Sequence, residues 1–467
     1  MANAFLNAQE YANVMLLLLK NQLVYGRLVD GQFKDQVTDE NGLTISVKRP
    51  PRFVATSGAS LKAQDLVTGS VPLAVDQYKN VHISVGDLEY VQSYNALMQN
   101  ETMKSAASTL AHDVDKFIAG LSLGFFSWVA GGSVVSGAAV GGADSGSNAT
   151  LISTGIQKPQ GAMAAHSRLM AQGVPDSDLS GVLTFSSGEL IRGSLLSDFT
   201  PDINRTALEK TRIPLISSID WYATQQNPTF TAGTRLQGDG SSTGTQVNGA
   251  SQNVDYRNVK GSGTSAGMTQ TLILKTGNGI TTTIKIGDVF TIQNVYAWDW
   301  RNQQALPYLQ QFTVVGDSSG AVPTTGIAAT YNGASPAVAT VTITPPIIVQ
   351  GTNDSAGNSY ANSAFGTVDS VPADSAYIQF AGAASAKATI NPVFHKRAIA
   401  LVSARLQMPF TGVASFATDP DTGIAIRYWR GSDITTGAHV HRWDMIYGGR
   451  LMDGYLGCRV TGPNTAS

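Results

Sequence analysis

Charge is scarce in this chain. Charged residues make up 14% of its 467 positions, against roughly 25% in soluble domains. The signs balance, 31 Lys and Arg against 33 Asp and Glu, for a net charge of −2. That excludes the global basic excess of a dedicated nucleic-acid binder. A weakly charged surface can be buried against neighbours at little desolvation cost, which favours an assembly protein. Cysteine is almost absent as well. The single Cys458 rules out an intramolecular disulfide framework and a cysteine-based zinc site. Its plain reading is a small apolar residue in a strand. Long apolar runs are also missing. The run "VMLLLL", Val14 to Leu19, is far short of the ~20 residues of a membrane span. It lacks the basic start of a signal peptide, and its surroundings read as a short amphipathic helix over 7–23. The expectation is a soluble protein made in a cytoplasm, with no membrane partner.

What is plentiful is glycine, 48 residues, above the usual ~7%. The order of elements is legible. Residues 1–44 read as an N-terminal arm. Residues 45–86 alternate on both sides of a small-residue segment and predict a long two-stranded hairpin, which has no core of its own and needs another surface. A long helix is predicted over 100–126, capped by Asn100. Its stripe is Met103, Ala107, Leu110, Val114, Phe117, Ile118, Leu121 and Phe125; His112, Asp113, Asp115 and Lys116 fall largely off it. Helices are expected again at 159–173 and 187–197. From about 228 to 350 short alternating strands predict a small all-β domain inserted in a discontinuous host, and strand signals return after 372.

Catalytic patterns are weak. "GDSSG" at 316–320 fits a serine-nucleophile spacing around Ser318, but no strand-to-helix context follows, so a turn is the better reading. "HVH" at 439–441 puts His439 and His441 on one face of a strand, yet a metal site needs a third ligand; surface or interface is expected. "DPDTG" at 419–423 lacks the remainder of a calcium loop and reads as a turn. "VKRPPR" carries Lys48, Arg49 and Arg52, suited to nucleic acid or to a neighbour's carboxylates. No catalytic, cofactor or metal residue is assigned, and no enzyme activity is expected.

Three stretches carry a family resemblance: "IKIGDVFTIQNVYAWDWRNQQALPYLQQFTVV", "NPVFHKRAIALVSARLQMP" and "GIAIRYWRGSDITTGAHVHRWDMIYGGRLMDGYLGCRVTGP", the last with Asp444, Tyr447 and Gly448 in a D-x-x-Y-G spacing. In this order they resemble the major capsid (coat) proteins of tailed double-stranded-DNA bacteriophages, in the branch with an inserted β-barrel. The resemblance implies an α+β, Hong Kong 97-type capsid fold. Its parts would be the arm 1–44, an extension loop 45–86 lying over a neighbouring subunit, and a peripheral domain 87–128 with the spine helix. An axial domain 129–227, the inserted barrel 228–350, a second axial part 351–400 and returning strands 401–467 would follow. The second stretch would re-enter the body as a strand–helix element. The implied partners are further copies of the chain in pentamers and hexamers, a portal protein at one vertex, and packaged double-stranded DNA held without sequence preference. A separate scaffolding protein is expected, because only about 44 residues precede the extension loop. The implied location is the virion capsid. A virion-surface or decoration-type β-module is the alternative; a hydrolase using Ser318 is a third class.

One stretch poses its own question. "KIGDVFTIQNVYAWDW", Lys285 to Trp300, predicts a two-residue hairpin turn with Gly287 at positive φ. Phe290 and Ile292 would face one side, and Val289 and Val295 the other. Tyr296, Trp298 and Trp300 alternate at or just past the strand's end. By the resemblance the insert faces outward and DNA lies inside, so stacking on DNA is not expected. Closing the barrel mouth and touching an adjacent capsomer both stand as roles for the stripe.

Overall fold

The computed structural model describes residues 8–33, 43–49, 51–55, 70–86, 101, 103–129, 159–198, 213, 215–238, 244–250, 252–255, 268–276, 282–323, 326–328, 337–352, 363–382, 384–409, 412–433 and 438–461. The chain divides into two compact units. Met1–Val47, Pro72–Leu121 and Ile399–Met452 form one; Lys48–Val71, Ser122–Ala398 and Asp453–Ser467 form the other.

The first unit is built on one long strand, Ala438–Leu451. Gln77–Gly86 pairs antiparallel with its residues 438–447. Ala425–Asp433 pairs with 438–445 and Ile399–Ala404 with 446–451. Ile446 and Tyr447 pair with both Gln77–Gly86 and Ile399–Ala404, so those two strands take opposite edges. Val413–Thr418 completes the sheet beside 425–433. Strand side chains alternate between faces, and here one face is apolar and one polar. Tyr428, His441, Trp443, Met445 and Tyr447 are buried on the side where the helices Ala8–Gln22 and Met103–Leu121 pack. Tyr78, Asn80, His82 and Ser84 lie exposed on the other.

Three expectations change in this unit. Gln77–Gly86 is not the second leg of a free hairpin but an edge strand of its own chain's sheet. Its half-buried Val81 and Ile83 turn to the helix side, and Val71, Leu73 and Val75 just before it are buried. Only Thr44–Lys48 pairs with Ser70–Ala74; residues 56–69 lie outside the described residues. The long helix spans Met103–Leu121 and gives way to a 3-10 turn, Ser122–Gly124, and a strand, Ser127–Val129. Gly120 and Gly124 weaken the helix, and the β-prone "FFSWV" that follows favours extension; Asn100 lies outside the described residues. Asp115, expected largely off the apolar stripe, is nevertheless buried: it is 1% exposed. It accepts hydrogen bonds from the backbone N–H of Val24 (2.8 Å) and Gly26 (3.1 Å). Those are donors at the start of the short helix Tyr25–Leu28, which no intrahelical carbonyl can satisfy. Burial raises the Asp115 carboxyl and the backbone hydrogen bonds partly offset this, leaving it at about 6.

The second unit holds two six-stranded sheets and a small two-stranded one among the described residues. The first runs in the order Ser127–Val129, Gly457–Thr461, Lys387–His395, Leu179–Leu183, Asp220–Ala223. Helices Pro159–Gln172 and Phe185–Asp198 bring Ala162, Ala165, Leu169 and Ile191 into one core with Val393, Cys458 and Val460. Cys458 is thus a buried strand residue, and burial pushes its thiol up to about 12. The segment expected to re-enter as strand–helix is a strand, a 3-10 turn Lys396–Ala398, and another strand; its β-branched and apolar run is buried on both sides.

The second sheet is ordered Ile378–Phe380, Val289–Asp299, Gln304–Asp317, Ala337–Thr344, Gln270–Thr276, Gln246–Val247. Its two ends meet. Val247 N donates to Ala376 O (2.9 Å), Ile378 N donates to Thr245 O (2.9 Å), and Gln246 bridges Tyr377. The sheet therefore closes into a barrel, which removes its open edges. The strand Ile378–Phe380 lies beyond the expected limit at 350. Alternate residues fill the interior: Leu272 and Leu274, Phe290 and Ile292, Phe312 and Val314, Val341 and Ile343, Ile378 and Phe380. The Phe290 ring lies 5.7 Å from both Phe312 and Phe380.

Candidate functional site

The barrel is fastened to the body of its unit by buried polar side chains, and "Ile-Gly-Asp-Val" lies at the centre of the fastening. This turn does not join a hairpin. Thr283–Ile284 pairs with Ile327–Ala328, while Val289–Asp299 pairs with Gln304–Asp317 and Ile378–Phe380. The turn passes from one small sheet to the barrel and bonds to a third strand: Gly287 N donates to Val314 O (2.8 Å) and Val314 N to Asp288 O (3.0 Å). Gly287 has φ +92 as expected, and a Cβ there would meet the Phe230 ring at 3.1 Å, so both conformation and space call for glycine.

Arg459, 1% exposed, reaches this turn from the body strand Gly457–Thr461. Its guanidinium donates to Gly287 O (2.8 Å) and to Thr313 Oγ1 (2.8 Å); Thr313 Oγ1 donates onward to Asp288 O (3.3 Å). The Asp288 carboxylate is fully buried and pairs with Arg235 (Nε–Oδ1 3.2 Å), itself 2% exposed. It also accepts from Lys285 N (2.7 Å) and Gly233 N (3.4 Å). Burial raises the Asp288 pKa and lowers that of Arg235, while each charge draws the other back toward ionisation. Arg459 is lowered to about 10 by burial and stays protonated at neutral pH. A second fastening is neutral. Gln311, fully buried in a barrel strand, accepts from Trp128 N (2.8 Å) and donates to Trp128 O (3.1 Å). One amide side chain thus satisfies the backbone of the body sheet's outer strand. A third lies along the helix Pro159–Gln172: Arg301 donates to Met170 O (3.3 Å), and Arg168 sits 3.8 Å from the Tyr308 ring centroid.

The barrel and the strand carrying Arg459 lie within the region that a family model matches. The model described as P22 coat protein, gene protein 5, matches residues 203–462, more than half of the chain. The chain belongs to the P22 coat protein family. It is a major capsid protein of a tailed phage, a structural component of the shell. No curated protein matches the chain. Among solved structures it is similar to the capsid of Ralstonia phage GP4, at 7% identity and TM-score 0.42, covering 100% of this chain and 95% of that one. It is similar to a chain of Mycobacterium phage Che8, at 12% identity and TM-score 0.41, covering 94% and 90%. The CUS-3 coat protein I-domain is similar at 22% identity and TM-score 0.19, covering 30% of this chain and 96% of that one.

In this coat protein the singled-out motifs find plain roles. In "GDSSG", Asp317 accepts from Ser319 N (2.8 Å), Ser319 Oγ (2.7 Å) and Ala321 N (2.9 Å), forming an exposed turn that leaves Ser318 in solvent. In "DPDTG", Asp419 accepts from Thr422 N and Thr422 Oγ1, and Lys20 pairs with Asp419 (2.9 Å) and Asp421 (2.5 Å). A lysine supplies the positive charge there. In "HVH", His439 is half-buried, while His441 is not at the surface: it is 2% exposed, with Nδ1 2.7 Å from the Tyr428 hydroxyl. Burial holds it down at about 4. The helix packed on that face hides it, which strand spacing alone does not reveal.

The aromatic stripe also changes. Val289–Asp299 contains Tyr296 and Trp298, with Trp300 one residue beyond. Asn294 at φ 58 and a register shift between Thr291 and Tyr296 mark a bulge, which reverses the side-chain alternation. Val295 therefore joins Phe290 and Ile292 in the barrel core, not Val289. Tyr296 is 40% exposed, and Trp298 and Trp300 are half-buried. Arg52 of the basic cluster lies 4.8 Å from the Trp300 ring of its own chain. The signal for Arg459 and Gln311 was present only as unexplained polar residues inside apolar strands, and Asp288 read as a turn residue.

Proposed function

We propose that many copies of this coat protein assemble as pentamers and hexamers into an icosahedral shell that encloses double-stranded DNA. Assembly takes place in the host cytoplasm with a separate scaffolding protein, and a portal protein occupies one vertex. The protein's work is mechanical and it catalyses no reaction. In this reading the segment 45–86 carries the loop that reaches a neighbouring copy while its last strand, Gln77–Gly86, stays in its own chain's sheet; the helix 103–121 is the spine of the peripheral domain, 129–227 with 351–400 surrounds the symmetry axes, and the barrel stands on the outer surface. DNA is contacted without sequence preference, its phosphates met mainly by counterions because the chain is near neutral.

One observation carries the reading: the coat-protein family match runs unbroken over residues 203–462, more than half of the chain. The buried charge at the barrel's root supports it, because an outer module on a shell that rearranges must move as one body with its base. The test is to express the chain with and without a scaffolding partner and image it by negative-stain microscopy. Closed or aberrant shells are expected; subunits that form neither under any condition overturn it.

A further inference from the structure

Arg52 occupies an unusual setting. Its guanidinium carbon lies 4.8 Å from the Trp300 ring centroid, 5.6 Å from Phe365 and 5.8 Å from Tyr455. The three rings come from separate parts of the second unit. Trp300 stands at the tip of the barrel's longest hairpin, where Asp299 accepts from Arg301 N (3.0 Å) and Asn302 Nδ2 (2.7 Å). Phe365 is tied to that tip, because Gln303 Nε2 donates to both Trp300 O (2.5 Å) and Ser363 O (3.3 Å). Tyr455 belongs to the 3-10 turn Gly454–Leu456 leading into the body strand, its ring edge-on to Phe126 at 4.7 Å. One cation therefore touches both barrel and body.

The segment bearing Arg52 is shaped to deliver it. Pro50 and Pro51 in the sequence favour extended backbone in the residues before them. Along 52–54 the side chains alternate. Arg52 and Val54 are partly buried, and Phe53 is 55% exposed. Val54 packs on Ile348, Ala364 and Phe365, so the stretch has two anchors two residues apart. The ring contacts hold Arg52 without a carboxylate partner among the described residues. Ring faces attract a cation through their quadrupole, a contact that bulk salt screens less than an exposed ion pair.

We propose that Arg52 is a latch that pins the first leg of the 45–86 segment to the junction of barrel and body in its own chain, and so fixes the direction from which that segment reaches a neighbouring copy. This rests on the coat-assembly reading for what the segment reaches. A ring-held pin can let go and re-engage without leaving a carboxylate buried and unpaired. It couples the leg to the barrel whenever the shell rearranges.

The experiment is hydrogen–deuterium exchange over 52–55 in the unassembled full chain, with Arg52→Ala, Trp300→Ala, the double variant and Arg52→Lys, followed by microscopy of their assembly products. The expected result is exchange about tenfold faster at 52–55 in each single Ala variant, no further gain in the double, and an intermediate value for Arg52→Lys. Amides of 304–317 stay as in the wild type, and closed shells give way to aberrant ones. Unchanged exchange at 52–55 overturns the latch. So does an equal acceleration of 304–317, which makes Arg52 a packing residue only, or faster exchange with normal shells. Wild-type protein that forms no shells counts against the coat-assembly reading instead, and the exchange results still decide whether Arg52 pins the leg.

Discussion

Replacing Arg459 with Met keeps most of the side-chain volume and removes the guanidinium. Two acceptors then lose their donor in a fully buried site, Gly287 O and Thr313 Oγ1, both 2.8 Å away. Hydrogen bonds to a charged donor contribute about 1.5–3 kcal/mol each. Against this, the arginine no longer has to be desolvated, a cost visible in the lowering of its pKa to about 10. Removing one member of a buried charged network has cost about 3–5 kcal/mol where its partners stay behind. Asp288 and Arg235 do stay behind here. The expected loss is about 3 kcal/mol in the second unit. With a urea slope of roughly 2–3 kcal/mol/M, the midpoint of the transition reported by Trp128 should fall by about 1 M. The rival account is that Arg459 merely fills space, in which case Met, apolar and of similar length, is neutral or stabilising. A loss under about 1 kcal/mol favours that account and refutes the view of Arg459 as the fastening between barrel and body.

The first unit should show two opposed pH effects. His441 is held neutral by burial at about 4 and regains its ordinary value of ~6.5 on unfolding, so acidification from about pH 7.5 to 5 costs roughly 2 kcal/mol. Asp115, raised to about 6, binds its proton sooner in the folded state and returns roughly 1.4 kcal/mol over the same interval. Asp115→Asn should therefore lose about 1.4 kcal/mol more than the wild type between those pH values, read as denaturant midpoints; equal losses in both proteins refute the assignment. Trp298 has a buried indole N–H with no hydrogen-bond partner among the described residues, so Trp298→Phe should be neutral within ~0.5 kcal/mol or slightly stabilising, whereas Trp298→Ala removes half-buried ring area and should cost about 2 kcal/mol. A Phe variant as damaged as the Ala variant in thermal unfolding would show that the N–H is satisfied.

Much of the fold was legible because local chemistry repeats at the period of each element. The strand Ala337–Thr344 coincides with its alternating stretch, and the helices Ala8–Gln22 and Pro159–Gln172 lie within a residue of their expected ends. Gly287 was legible too, since a tight turn at positive φ needs no tertiary information. The bulge at Asn294 was not: one residue in the left-handed region reverses the parity of all that follow, and no pattern of period two announces it.

Strand and helix periods, the turn glycines and the order of motifs were thus determined by the sequence alone, because they depend on neighbours within a few residues. Partnership was decided by the tertiary structure. Asp115 is 91 residues from the backbone group it caps, Gln311 lies 183 from the strand it satisfies, and Arg459 lies 172 from the turn it holds. A polar residue in an apolar stretch looks like an interruption until the fold brings it an equally distant partner. Burial then makes that pairing obligatory, because an unpaired charge or amide in the interior costs more than the fold can spare.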